Sequence, residues 1–198
     1  TKLLTWPPIL VIFIRKNRFS VIGVTTGRNV RQKLLEILYA GLSSIILPPQ
    51  IKSNLKITSP LSKDEFQKYY QTRWEILRQP WGQIQGTERD DSDIPSIHRM
   101  LVTESKQVIA VARLHFNSPE QAQIRYMGVT KKFRGTGAGT KLIKDLEIIA
   151  AKNNAKQIIL QARENAVQFY QSNGFTIVEK THLLFGTIQH FLMQKKIR

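Results

Sequence analysis

The stretch from Ile124 to Thr140 constrains this chain more than any other. Ile124, Tyr126 and their apolar neighbours have the pattern of the end of a buried strand. A basic turn with Lys131, Lys132 and Arg134 follows, and glycines at 135, 137 and 139 then lead into an apolar-periodic helix. A glycine-rich turn that opens a helix leaves several backbone N–H groups unpaired and aimed at one place, with the positive end of the helix dipole behind them. That is an anion site, most naturally for a phosphate. Glycine suits such a turn because a Cβ would hold the ligand off the backbone.

Spacing separates the phosphate loops that share this outline. A Walker A loop needs glycine five places after its first glycine and then lysine. Counted from Gly135, that place holds Thr140, so the pattern fails. A dinucleotide fingerprint needs G-x-G-x-x-G, whereas the glycines here run G-x-G-x-G with no acid suitably placed after a second strand. On the turn alone, an ordinary helix start is an equal alternative. What matches position for position is Arg134-Gly135-Thr136-Gly137-Ala138-Gly139 against Q/R-x-x-G-x-G/A. This segment resembles the acyl-CoA-binding loop of the GNAT superfamily of N-acetyltransferases, of the bacterial type that acts on small substrates or proteins.

Length and composition bound the alternatives. A chain of 198 residues suffices for one domain with a full core plus an appendage, and 41% hydrophobic residues fit a soluble globular protein. There is no cysteine, which excludes disulfides, thiolate catalysis and cysteine-ligated zinc. Four histidines without a ligand-like spacing argue against a metal. The net charge of +16 invites a nucleic-acid reading. Its distribution weakens that reading: residues 1–56 hold nine Lys or Arg against the single acid Glu36, half the excess in little more than a quarter of the chain. There is no basic run of five, and no aromatic-interleaved basic motif.

Residues 1–54 form a basic N-terminal extension whose structure the pattern leaves open. The apolar run Ile9 to Ile14 falls far short of the roughly 20 residues a membrane span needs. Val30 to Leu42 has the stripe of a short amphipathic helix, and Leu47-Pro48-Pro49 breaks the chain as a linker would. A transit peptide, a membrane-surface helix and a disordered tail all fit this composition.

From residue 55 the pattern is regular. A short strand at Leu55 to Thr58 precedes a helix opened by the capping box at Ser62 to Glu65 and ended by Pro80. Trp81 to Pro95 reads as a loop. Strands at Ile97 to Glu104, Gln107 to Asn117 and Gln121 to Thr130 make an antiparallel meander. The helix after the glycine loop carries the stripe Leu142, Ile143, Leu146, Ile149 and Ala150. A strand at Gln157 to Gln161 returns parallel to the one before that helix. A short helix from Asn165 to Ser172 follows, then a hairpin of Phe175 to Lys180 with Thr187 to Lys195 across a longer loop.

This order is the GNAT order over residues 55–198, which the resemblance assigns as the N-acetyltransferase domain. Gln161 to Phe175 supplies a second likeness, to the family's N-x-x-A/V-x-x-F-Y-x-x-x-G-F segment, whose F-Y-x-x-x-G-F part is matched by Phe169 to Phe175. The fold class implied is mixed α/β: a twisted, mostly antiparallel sheet with a parallel splayed pair at the CoA site, flanked by helices. Only one clear helix fills the side where the family usually has two.

The resemblance implies a site. Pantetheine would enter the gap beside Met127, Gly128 and Val129 like an added strand, and Met127 N–H would hold the thioester oxygen. Arg134, Gly135, Thr136, Gly137, Ala138, Gly139 and Thr140 would hold the pyrophosphate. Asn165 would lie near the pantetheine arm, although an N-cap explains it equally well. Tyr170 would stand by the sulfur and assist the leaving thiolate, although it also fits a packed aromatic. Glu104, His115 and His190 are candidates for the base. The acids Glu88, Asp90, Asp91 and Asp93 either attract a cationic amine or form a solvated loop.

The function implied is acetyl transfer from acetyl-CoA, as cosubstrate, to a primary amine by direct attack. The partners expected are acetyl-CoA and an unidentified amine, with a homodimer open, no integral membrane association, nucleic acid disfavoured and a cytoplasmic location. A non-catalytic acyl-CoA-binding or regulatory domain, and a nucleic-acid-associated protein acting through the basic segment, are the alternatives.

Overall fold

The computed structural model describes residues 11–15, 18–22 and 55–197. Contacts divide the chain into two compact units, Thr1–Ile51 and Lys52–Arg198. In the first, β1 (Val11–Arg15) pairs antiparallel with β2 (Arg18–Ile22). The helix expected over Val30 to Leu42 and the break at Leu47-Pro48-Pro49 lie outside the described residues.

The second unit is built on one seven-stranded sheet in the order β3-β4-β5-β6-β7-β9-β8. The strands are β3 (Lys56–Thr58), β4 (Ile97–Val102), β5 (Val108–Ser118), β6 (Gln121–Val129), β7 (Gln157–Arg163), β8 (Thr176–Leu184) and β9 (Ile188–Lys196). Every neighbouring pair is antiparallel except β6 and β7. That pair is parallel because α2 (Ala138–Lys152) connects them, and a strand, helix, strand connection returns the chain in its starting direction. The fold is therefore mixed α/β, mostly antiparallel with one parallel pair, as the sequence implied.

α1 (Lys63–Leu77) starts at a full capping box: Glu65 N–H donates to Ser62 Oγ at 3.2 Å, and Ser62 N–H donates to the Glu65 carboxylate at 3.2 Å. α2 buries Leu142, Ile143, Leu146 and Ala150 against the sheet, with Ile149 partly covered. These side chains join Leu101, Ile109, Leu114, Ile124, Ile158 and Leu160 in the main core. α3 (Val167–Ser172) follows a 3-10 turn at Glu164–Ala166.

The closing hairpin departs from expectation. β8 and β9 are joined by a tight turn with Phe185 at φ 53° and Gly186 at φ 70°, not by a longer loop. Positive φ at both central residues matches the right-handed twist of the strands, so the hairpin closes at once.

Candidate functional site

The site begins with a defect in the sheet. Ala110 pairs with Val129 and Val111 with Gly128, yet Arg113 pairs with Arg125, so Ala112 stands opposite both Tyr126 and Met127. This is a β-bulge with its extra residue on β6, and Tyr126 sits there at φ 51°. The hydroxyl of Tyr69 on α1 donates to Ala112 O at 2.9 Å, giving the carbonyl at the break a partner. Just before the bulge β6 leaves β7: the parallel ladder stops at Ile124 with Leu160, and Gln161 to Arg163 pair only with β9.

The acid cluster holds this bulge in place. Asp93 accepts from Arg73 Nη1 at 2.8 Å and from Arg113 Nη1 at 2.9 Å. Asp90 takes Arg113 on its other side and accepts the Tyr126 hydroxyl at 3.0 Å. The Arg73 guanidinium lies 3.5 Å from the centroid of the Tyr126 ring. Glu88 is buried and accepts Gly86 N–H at 2.7 Å. Glu88, Asp90 and Asp93 are thus engaged by the protein's own arginines, while Asp91 is exposed. Burial alone would raise the Asp90 carboxyl, but the hydrogen bonds and charge of Arg113, helped by the Tyr126 hydroxyl, hold it down at about 2.

The splay opens a cavity of about 600 Å³. It brings together Met127, Gly128, Val129, Arg134, Gly135, Gly137, Ala138, Gly139, Thr140, Asn165 and Tyr170. Of the residues the sequence singled out for the cofactor, Thr136 alone is not on its wall; its hydroxyl donates to Phe133 O at 2.8 Å within the turn. Thr130 N–H donates to β5, so the Val129 backbone faces the opposite way, where its carbonyl accepts from Arg134 Nε at 3.1 Å. Gly137 is the N-cap of α2 at φ 83° and makes no side-chain cap, which leaves the first N–H groups of the helix without side-chain partners.

The glycines serve different needs. A Cβ on Gly137 would meet nothing within 4 Å, so its requirement is the left-handed backbone. A Cβ on Gly139 would lie 2.8 Å from Phe169 Cζ, and one on Gly128 2.6 Å from Ile76 Cγ2. At these two places glycine lets α3 and α1 approach, rather than making room for a ligand.

Asn165 is not an N-cap: that position before α3 is Ala166, and Asn165 lies exposed in the 3-10 turn on the cavity wall. Tyr170 is 8% exposed and packs edge-on against Phe169 and Phe175. No hydrogen bond to a described residue engages its hydroxyl, and burial pushes its ionisation up to about 12. Arg163 was not anticipated; it lines the cavity and donates Nη2 to Leu77 O at 2.9 Å. Its place at the carboxyl end of β7, where open α/β sheets bind ligands, was the available signal.

A second cavity of about 350 Å³ shares Leu77, Met127, Arg163, Ala166 and Tyr170 with the first, so the two meet there. Of the three base candidates His190 alone lines it. Glu104 sits exposed in the turn after β4, and His115 lies in β5 opposite Gln123. Burial lowers the His190 ring below its usual range. His190 Nδ1 lies 2.9 Å from Ile188 O, which can only accept, so Nδ1 carries the proton and Nε2 keeps its lone pair. His182, which the sequence did not single out, stacks on it at 4.8 Å. Among the described residues no cluster of His, Cys, Asp or Glu could hold a metal, and no helix is long and apolar enough to cross a membrane.

A bulged strand parting from a parallel neighbour, with a glycine loop and helix N-terminus at the gap, defines an acyl-CoA N-acyltransferase type of sheet. A family model described as the acetyltransferase (GNAT) domain matches residues 86–197, and the chain belongs to that family. The uncharacterized N-acetyltransferase YjcF of Bacillus subtilis is 36% identical over 67 residues, which are 34% of this chain and 48% of that protein. The match thus spans about half the length of that relative. An acyl-CoA N-acyltransferase from Pseudomonas aeruginosa superposes with a TM-score of 0.61 at 22% identity, over 73% of this chain and 99% of that one. An aminoglycoside 6'-N-acetyltransferase complexed with coenzyme A gives 0.57 at 16% identity, over 72% and 97%. At these identities the structures support the fold alone.

Proposed function

We propose that the protein transfers the acetyl group of acetyl-CoA to a primary amine by direct attack. The observation that carries this reading is the splay of β6 from β7, which opens a cavity of about 600 Å³ between Met127 to Val129 and the N-terminus of α2. Its size is within the range of small-molecule sites. The pyrophosphate of acetyl-CoA meets the N–H groups after Gly137 and the Arg134 charge, and pantetheine runs along β6 as an added strand.

The amine nitrogen attacks the thioester carbon, the C–N bond forms, and charge develops on the oxygen, where Met127 N–H stabilises it. Collapse breaks the C–S bond and its electron pair leaves on sulfur. The proton lost by the nitrogen goes to His190 Nε2, the one base candidate on the adjoining cavity. Tyr170, held protonated with its ionisation near 12, is a weaker acid than a thiol near 8.5. It therefore acts as a hydrogen-bond donor to the departing thiolate, and the thiol's proton arrives through solvent.

Gly137→Val tests the loop. A β-branched residue at φ 83° strains the turn by about 1–3 kcal/mol and puts methyl groups where phosphate oxygens must approach. Calorimetry should find acetyl-CoA binding lost in a chain that still unfolds cooperatively; affinity equal to the parent's would refute the loop assignment.

Residues 55–198 are proposed as the catalytic domain. A chain lacking residues 1–54 is expected to unfold in one transition and to bind acetyl-CoA as the full chain does. A broad, non-cooperative melt would place the removed segment in the core.

A further inference from the structure

The second cavity has an unusual charge for a site that receives amines. Among its described lining residues are Arg78, Arg125, Arg163, His182 and His190, with no aspartate or glutamate. Arg78 donates Nε to Thr87 O at 2.9 Å and Nη1 to Leu77 O at 3.2 Å. Arg163 donates to the same Leu77 carbonyl at 2.9 Å. Neither has a carboxylate within 4.0 Å among the described residues. Arg125 reaches Asp90 only at 3.7 Å, on an oxygen that already accepts from Tyr126 and Arg113.

Two half-buried guanidiniums sharing one carbonyl repel each other and have lost part of their hydration. Burial, and then the facing Arg78 charge, hold Arg163 below the usual arginine range; burial, with Arg73, does the same to Arg78. An anion relieves this arrangement. Arg163 also borders the first cavity and can serve a phosphate there, but Arg78 and Arg125 line only the second. A polyamine or an aminoglycoside would bring more positive charge against these arginines.

We infer that the second cavity is the acceptor site and takes a small amine bearing an anionic group, a carboxylate or a phosphate, held by Arg78 and Arg125. The nitrogen then faces the junction at Met127 and Tyr170. This rests on the acetyl-CoA reading above. The cavity's volume of about 350 Å³ sets a small molecule, rather than a folded surface, as the occupant.

The test uses the full chain and saturating acetyl-CoA, following CoA thiol release. The panel is L-amino acids each paired with its own amide, O-phosphoethanolamine, and spermidine, with rates compared per concentration of unprotonated amine. An amino acid or O-phosphoethanolamine should exceed the amides and spermidine in kcat/KM by about tenfold or more, and which of the two anions prevails identifies the carboxylate or the phosphate. Arg78→Gln should remove about tenfold of that preference through the amine KM and leave the acetyl-CoA KM unchanged, while Arg78→Lys keeps most of it. Preference for amides or spermidine, or equal slowing of acid and amide by Arg78→Gln, would overturn the inference. If no amine turns over, thermal shift with CoA decides. N-acetylglycine stabilising more than N-acetylglycinamide supports the site, and equal or no stabilisation overturns it. Failure of acetyl-CoA to bind would sink the underlying reading as well; binding with turnover of spermidine sinks the acceptor class alone.

Discussion

Tyr170→Phe is expected to lower turnover about 100-fold while acetyl-CoA affinity and melting temperature stay near those of the parent. The ring is 8% exposed and packed edge-on against Phe169 and Phe175, contacts that phenylalanine retains. The hydroxyl makes no hydrogen bond to a described residue, so its removal leaves no orphaned partner. On the proposed mechanism, what is lost is a donor to the departing sulfur. Hydrogen bonds to charged groups contribute about 1.5–3 kcal/mol, and the loss of a positioned donor costs about 100-fold or more in rate. Because the Tyr170 proton is held up to about 12, the parent's rate should show no loss near pH 10 from ionisation of this phenol. Unchanged turnover in the variant would make Tyr170 a core aromatic, and a large fall in melting temperature would reveal a buried partner.

Much of this was legible because local patterns coincide with the elements they predict. The capping box at Ser62, the stripe from Leu142 to Ala150 and the glycines from 135 to 139 each report on a few consecutive residues, and α1, α2 and the loop follow from them. The pieces of the site that were missed depend on residues far apart in the chain. Nothing near Asp90 or Asp93 indicates that Arg73 and Arg113 close on them, at separations of about twenty residues, so an internal clamp read as a loop of acids. The bulge at Tyr126 is invisible to alternation, because one extra residue on β6 is defined only by its pairing with β5. Gly128 and Gly139 sit in or beside the glycine pattern, yet what a Cβ there would strike comes from α1 and α3. Arg78 and Arg163 converge on one carbonyl from positions 85 residues apart by their own numbering, a meeting that only the tertiary fold creates.

Asp93→Ala is expected to destabilise the protein by about 3–5 kcal/mol, the range for removing one partner from a buried ion pair. The Arg73 and Arg113 side chains are both 0% exposed, and Asp93 is the carboxylate they share. Their Nε atoms already lack partners; Arg113 keeps Asp90, but Arg73 loses the one carboxylate it meets among the described residues. Arg73 also stacks on Tyr126, and loss of the clamp should therefore loosen the bulge and weaken acetyl-CoA binding in the chain that still folds. The same network dictates an acid limb. The hydrogen bonds of Arg73 and Arg113 overcome burial and hold Asp93 below its ordinary value, and Asp90 is held at about 2. An unfolded aspartate takes up its proton near about 3.9. Below that pH the unfolded chain binds protons that the folded chain refuses, so stability present above about 4 is lost as pH falls toward about 2. Urea midpoints at neutral pH and through that window check both statements: the parent should fall steeply on acidification, and Asp93→Ala should start lower and fall less. A parent midpoint that holds level down to the Asp90 value would mean that the clamp contributes nothing to folding.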